Sequence, residues 1–229
     1  MIPRQLFQTC RDPARVPEAL RPLVDEWRHF CGQEGFRHEV FDDDAMDAFV
    51  REEDPRGYPV YRDLETMVEK TDYWRYLVVL RRGGYYADLD CRLQDGFRRL
   101  AQPRYRPVVQ VEENSWVKYT SGFCQLPEIG QFFFGFPAAS AILAEVMAEM
   151  RRRLLRRPHR HLGRFQEILF TTGPGVFGAV VLKHRGEVDS YPENALVRHL
   201  TAGSWVAGLD RGPRRLLLRR CLLRLQRVN

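Results

Sequence analysis

Hydrophobic and polar positions change rhythm along the chain, and each change marks an element. Arg4–Thr9 reads as a first core strand. Pro17–Phe30 places Leu20, Leu23, Val24, Trp27 and Phe30 on one face at helical spacing, and Pro17 suits a first helical turn. Gly32–Gly35 breaks that helix. Phe36–Phe41 is a short strand, and Asp42–Asp44 supply caps for a helix through about Arg51. The order β-α-β-α predicts a parallel sheet. After a loop over Asp54–Pro59, a long helix is expected over Asp63–Arg82, stopped by Gly83-Gly84, with a buried strand at Tyr85–Leu89. Further strands are expected at Pro107–Val111, Gln131–Phe136, Val188–Tyr191 and Leu196–Leu200. Ala138–Leu155 has the spacing of an amphipathic helix. Thr171–Gly178 reads as a glycine-rich turn into a helix near Val180, and Arg214–Arg227 as a closing basic amphipathic helix.

A chain of 229 residues, 44% hydrophobic and 29% charged, is enough for one α/β domain with a substantial core. The expected division is a domain over 1–210 and a helical appendage over 211–229. The opening MIPRQLFQTC reads as a core strand rather than a leader, and no apolar run approaches the roughly 20 residues of a spanning helix. The five cysteines (10, 31, 91, 124 and 221) are odd in number and form no CxxC pair. A reducing, cytoplasmic setting is therefore expected, with no zinc site or disulfide framework.

The net charge of +6 is unevenly placed. Residues 211–229 hold seven arginines and no acid; without them the chain has 29 basic and 30 acidic residues. A second run, Arg151 to Arg164, holds seven more arginines. Such clusters raise nucleic-acid binding as a reading, but no RNA- or DNA-binding motif accompanies them, and no nucleic-acid partner is expected. In the tail, Arg220, Arg224 and Arg227 share one helix face and Leu218, Leu222 and Leu225 another. That suits either peripheral contact with an anionic membrane or a terminal helix packed on the domain.

The chemistry concentrates in KTDYWRYLVVLRRGGYYADLD, Lys70 to Asp90. Asp88 and Asp90 are one residue apart, so at a strand end both carboxylates face the same way. Two converging carboxylates repel unless a cation lies between them, and hard oxygen ligands suit Mg²⁺ or Mn²⁺. Such a cation would also hold a diphosphate. By itself the pair is more simply a solvated turn at a strand end, and phosphatases and nucleotidyltransferases use similar pairs. Asp72 and Arg75 share a helix face upstream, as a surface ion pair or as ligands for hydroxyl and phosphate groups. The glycines allow close backbone approach to a ligand. Nothing like GxSxG, HExxH or a Walker loop is present.

This spaced set resembles the signature of glycosyltransferase family 32, the group with a DXD sugar-binding region. Yeast initiating mannosyltransferases and bacterial capsular enzymes belong to it, and clostridial glucosylating toxin domains are more distant relatives. The matching residues are Thr71-Asp72, Arg75-Tyr76, Gly83-Gly84, Tyr86, Asp88 and Asp90. Ile2-Pro3 and Phe7-Gln8-Thr9 are similar to the family's opening strand, with Cys10 in place of its tryptophan and Phe7 in place of its histidine. Phe41-Asp42-Asp43, Thr172-Gly173-Pro174 and HLTAGSW (His199 to Trp205) match further elements.

The resemblance implies a GT-A fold, a central and mostly parallel mixed sheet with helices on both faces. It also implies a retaining enzyme using a UDP-sugar, or a GDP-sugar, with a glycan, glycolipid or protein acceptor. Donor binding is carried over to Phe7, Gln8, Thr9, Asp72, Arg75, Tyr76, Gly84, Tyr86, Asp88 and Trp205. Asp90 is expected on the metal, Asp88 on ribose and metal, and His199 as a third ligand. A working His199 favours Mn²⁺ over Mg²⁺; otherwise it is a satisfied core or surface histidine. Gln131 is a candidate for stabilising the transition state or a strand-edge hydrogen bond, and Glu112 and Glu113 are candidates for a base or a solvated loop. The competing class is a non-catalytic sugar-nucleotide or glycan binder on the same fold.

Overall fold

A computed structural model describes residues 1–112 and 128–200. The elements run β1 (Gln5–Thr9), α1 (Arg21–Glu34), β2 (Arg37–Phe41), α2 (Asp43–Glu53), α3 (Tyr58–Arg62), α4 (Met67–Arg82), β3 (Gly84–Ala87), β4 (Cys91–Leu93), β5 (Val108–Glu112), β6 (Glu128–Phe136), α5 (Ala141–Arg156), α6 (Arg164–Thr171), α7 (Pro174–Val181), β7 (Asp189–Tyr191) and β8 (Val197–His199). The tail helix, Trp205 and Glu113 lie outside the described residues.

Six strands form one sheet in the order β2-β1-β3-β6-β5-β7. β1 is parallel to β2 and β3, and β5 is parallel to β7. β6 runs against both its neighbours, β3 and β5, so five strands point one way and one opposes them. The mixed, mostly parallel sheet expected from the sequence is therefore present. A separate antiparallel ribbon, β4 with β8, brings the end of the described chain back beside the end of β3.

Each face of the sheet has its own core. On one, Phe7, Tyr76, Tyr86, Phe134 and Phe136 pack with residues of α2, α4, α5 and α7. On the other, Trp27, Tyr85, Phe97 and Phe133 pack with α1 and the ribbon. Trp27 Nε1 donates to the carbonyl of Cys91 at 2.8 Å, which ties α1 to the first residue of β4.

Several boundaries differ from the sequence reading. The long helix starts at Met67 rather than Asp63, because Thr66 and Glu69 form a capping box there: each side chain accepts from the other's backbone N–H. The preceding loop contains α3. The turn expected over Thr171–Gly178 is shorter, since α7 already begins at Pro174, whose missing N–H costs nothing at a first turn. α6, β4 and α3 were not expected. Arg164–His184 is long and apolar enough to cross a membrane by length and composition, with mean hydropathy 1.3, contrary to the expectation that no run approaches that size. It is divided between α6 and α7, and 61% of its apolar window is buried in the domain. It is core.

Gly83 and Gly84 have a packing reason. Both have positive φ, 67° and 106°. A Cβ on Gly84 would lie 2.7 Å from the Gln5 carbonyl oxygen, and one on Gly83 would lie 2.6 Å from the Ala138 backbone nitrogen. Only glycine lets α4 turn this tightly into β3 against β1. What the glycines closely approach is backbone: the Gln5 carbonyl and the Ala138 nitrogen.

Candidate active site

α4 ends where β3 begins, so the first turns of α4 lie near the far end of β3, beside Asp88. Asp72 and Arg75, one turn apart, are 1% and 6% exposed. Arg75 Nη2 is 3.4 Å from Asp72 Oδ1, and Arg75 Nη1 is 3.2 Å from Asp88 Oδ1. The same Nη1 donates to the Gln131 carbonyl at 3.2 Å, and the guanidinium lies 4.6 Å above the Tyr86 ring. Burial opposes the charge on Arg75, but Asp88, Tyr86 and Asp72 together hold its pKa above the ordinary value.

Asp72 is surrounded by donors. Thr172 Oγ1 donates to Oδ2 at 2.9 Å and Gln131 Nε2 to Oδ1 at 3.1 Å. Burial pushes its carboxyl up to about 6, against the pull of Arg75 and Thr172, so it is mainly ionised at neutral pH. Tyr76 donates to Gln131 Oε1 at 2.5 Å. Both ends of the Gln131 amide are thus engaged, which makes it a brace between α4 and β6. Burial raises the Tyr76 and Tyr86 hydroxyls well above their usual range, so both remain donors.

The second half of the site sits at the rim. The Asp88 N–H donates to the Phe132 carbonyl at 2.8 Å, and the Cys91 N–H to the Asp88 carbonyl at 3.1 Å, so Asp88-Leu89-Asp90 is a tight turn between β3 and β4. Tyr86 and Arg75 both engage Asp88 Oδ1. They turn Oδ2 toward His199 Nε2, 3.9 Å away. Asp90 Oδ1 is 3.3 Å from that same nitrogen. The ribbon register pairs Cys91 with His199, which sets the imidazole over the acidic turn. The ring stacks on Phe132 at 4.6 Å and 13°.

One ligand atom each from Asp88, Asp90 and His199 lies within 4.8 Å of the others, a spacing a single cation can span after small rotations. Burial would lower the His199 pKa, but the hydrogen bond to Asp90 and the charges of Asp90 and Asp88 raise it. His199 Nδ1 is buried with no hydrogen-bond partner among the described residues, so Nε2 is the nitrogen held toward the acids. These residues fit a divalent cation.

Gln8 reaches the site through backbone: its Nε2 donates to the Asp88 carbonyl at 3.3 Å, and its Oε1 accepts from His38 Nε2 at 2.8 Å. Burial first, and Arg28 second, push His38 down to about 4. Other assigned residues lie elsewhere. Phe7 is fully buried against Phe41. The Thr9 hydroxyl donates to the Phe41 carbonyl at 3.0 Å, joining β1 to β2. Gly84 opens β3 at the end away from Asp88. All three make packing or backbone contacts within the interior strands β1 and β3.

Thr172 and Gln110 are further site-bordering residues. Thr172 was visible only as part of a TGP turn, and its bond to Asp72 crosses a hundred residues. Gln110, fully buried in β5, has no sequence signal beyond being polar in an apolar strand.

Residues 17–106 match a family model described as "Glycosyltransferase sugar-binding region containing DXD motif". Residues 17–106 are thus similar to a DXD glycosyltransferase sugar-binding region. That region includes Asp72, Arg75, Tyr86, Asp88 and Asp90. "Putative glycosyltransferase HOC1" of Saccharomyces cerevisiae is 32% identical over 92 residues, which is 39% of this chain and 22% of that protein. The chain therefore spans about a fifth of the length of that relative. "PaToxG Glycosyltransferase" is similar in structure, with a TM-score of 0.56 at 12% identity over 80% of this chain and 70% of that one. The fold is of the GT-A type, and the DXD region is seated at the end of its β3.

Proposed function

We propose that this protein is a retaining, metal-dependent glycosyltransferase. It would move a hexose from a nucleotide-diphosphate sugar, UDP-linked or GDP-linked, to a hydroxyl of a glycan, glycolipid or protein. The observation that carries this reading is the convergence of Asp88, Asp90 and His199 beside the buried Asp72–Arg75 pair. Mn²⁺ suits that donor set, since it accepts imidazole more readily than Mg²⁺ does. When bound, the ion supplies Lewis-acid charge for a leaving diphosphate.

The chain's own residues do the positioning. Arg75, held by Asp72, fixes Asp88 Oδ1 and adds positive charge behind the acidic turn. Preorganised charge of this kind costs no reorganisation during reaction. Asp72 acts on the sugar through Arg75 and Gln131, whose side chains it orients, because its own oxygens are enclosed. Gln131, partly exposed on β6, is the group of that network nearest to bulk solvent. The acceptor hydroxyl attacks from the face the diphosphate leaves, and the departing diphosphate takes its proton.

A membrane-linked acceptor fits the basic 211–229 tail. The run from Arg151 to Arg164 is less suited to anions, since Arg151, Arg152, Arg153, Arg157 and Arg164 all pair with Asp or Glu. The deciding measurement is hydrolysis of a panel of UDP- and GDP-sugars with Mn²⁺, with Mg²⁺ and with EDTA. Turnover that EDTA abolishes and Mn²⁺ restores is expected. Tight donor binding without any turnover would instead establish a sugar-nucleotide binder.

A further inference from the structure

β8 carries His199 but pairs with only one strand of the described chain, β4. The Gln94 N–H donates to the Leu196 carbonyl at 3.0 Å and the Leu200 N–H to the Asp90 carbonyl at 3.1 Å. In an antiparallel ladder these bonded pairs alternate with pairs whose N–H and C=O point outward. Val197, opposite Leu93, is such a residue, so its backbone groups face away from β4. They are not left bare. The Val197 N–H donates to Gln110 Oε1 at 3.0 Å, and Gln110 Nε2 donates to the Val197 carbonyl at 2.8 Å. Gln110 Oε1 also accepts from the Leu196 N–H at 2.9 Å.

A side-chain amide thus imitates a neighbouring strand residue, giving Val197 the reciprocal pair of bonds a third strand would give. Gln110 itself belongs to β5, in the middle of the main sheet, paired with Gly130 on one side and Tyr191 on the other. It is fully buried, so its bonds are shielded from water and leaving either amide end unmade is costly.

We propose that Gln110 is the positioning residue for His199. It fastens the ribbon to the main sheet two residues before the imidazole and thereby sets the distance from Nε2 to the Asp88–Asp90 turn. β3 holds the acidic turn, and β5 through Gln110 holds the ribbon. The two halves of the centre are thus referred to one rigid sheet. This inference rests on the reading of Asp88, Asp90 and His199 as a cation centre.

The test is Mn²⁺ affinity of the full chain, measured by electron paramagnetic resonance without donor, in four proteins: wild type, Gln110→Met, His199→Ala and the double variant. Methionine keeps the shape of glutamine and removes its hydrogen bonds. The expected result is weaker Mn²⁺ binding in Gln110→Met by roughly 10- to 100-fold, the usual range for a residue that orients a ligand. Adding Gln110→Met to His199→Ala should change the affinity no further, because no imidazole remains to be placed. A merely structural glutamine would weaken both backgrounds by the same factor, or neither, and either result overturns the proposal. A wild type that binds no Mn²⁺ would instead overturn the cation centre itself. Should Gln110→Met fail to fold, Gln110→Glu is measured in the same cycle, with the same two outcomes deciding.

Discussion

Two groups of charged residues stand side by side at the end of β3, and they are built on opposite plans. Asp72, Arg75, Tyr76, Gln131 and Thr172 form an enclosed set in which each side chain engages at least one of the others. Asp88, Asp90 and His199 form an open set whose side chains are 25%, 14% and 23% exposed. The first group resembles a polar piece of core: fully engaged, it specifies one arrangement. In the second, Arg75 and Tyr86 hold one oxygen of Asp88 while His199 faces its other oxygen and Asp90, an arrangement whose carboxylate repulsion a cation would relieve further. The teaching is that residues of the same types, a few ångströms apart, divide into an enclosed set that holds shape and a more open set that a ligand could reach.

That division predicts different currencies of damage. The largest effect is expected for Arg75→Met, which strands Asp72 inside the domain. Breaking a buried pair this way costs about 3–5 kcal/mol, and urea unfolding followed by circular dichroism should register it. A loss under 1 kcal/mol would show that the enclosed set is not a structural unit. Asp90→Asn should do the reverse, with unfolding nearly unchanged and metal-dependent donor turnover down by about a hundredfold or more. Wild-type turnover in that variant would remove Asp90 from the metal.

Thr172→Val comes next. It deletes one hydroxyl bond to a buried carboxylate, an interaction of about 1.5–3 kcal/mol, and the same unfolding assay reads it. The smallest effect concerns pH. His38 is held neutral down to about 4, whereas an unfolded histidine protonates near 6.5. Between those values the unfolded chain binds more protons, so this contribution to stability is present above pH 6.5 and fades as pH falls toward 4. Asp72, raised to about 6, acts oppositely: its ionisation costs stability as pH rises from about 4 to 6. The His38 contribution is therefore read as wild type minus His38→Gln. That difference should shrink on acidification; one constant from pH 7 to 4 would refute the assignment.

The open set was more legible in the sequence than the enclosed one. Asp88-Leu89-Asp90 announces itself by spacing, and Asp72 and Arg75 by helical phase. His199 was found through its place in HLTAGSW, an element the family resemblance supplied, yet its pairing with Cys91 depends on a ribbon whose first strand, three residues long, is too short to show a period. The enclosed set depends on partners separated by tens of residues, Gln131 with Tyr76 and Thr172 with Asp72, and so does the bond of Gln110 to Val197 under the ribbon. No local pattern encodes such bonds. α6 was hidden for a different reason, since its start lies in an arginine-rich run that reads as surface. Arg157 and Arg164 are in fact spent on Glu167, and Arg164 also on Glu69, the residue that caps α4. Phe7, Thr9 and Gly84 were placed by motif position, which does not say which side of a strand a side chain leaves from; Phe7 is buried against Phe41 and Thr9 bonds across to β2.

The return of β8 to β4 has a consequence for how the centre comes into being. Asp88 and Asp90 belong to the first half of the chain and His199 to the last stretch described, so the acidic turn leaves the ribosome long before its imidazole. A nascent chain, or one clipped between β7 and β8, would carry the two carboxylates with neither the histidine nor the ribbon that aims it. On the proposed reading of Asp88, Asp90 and His199 as a cation centre, that centre is completed late in synthesis, and loss of Mn²⁺ affinity would report a cut in the 192–196 link while most of the sheet stayed intact.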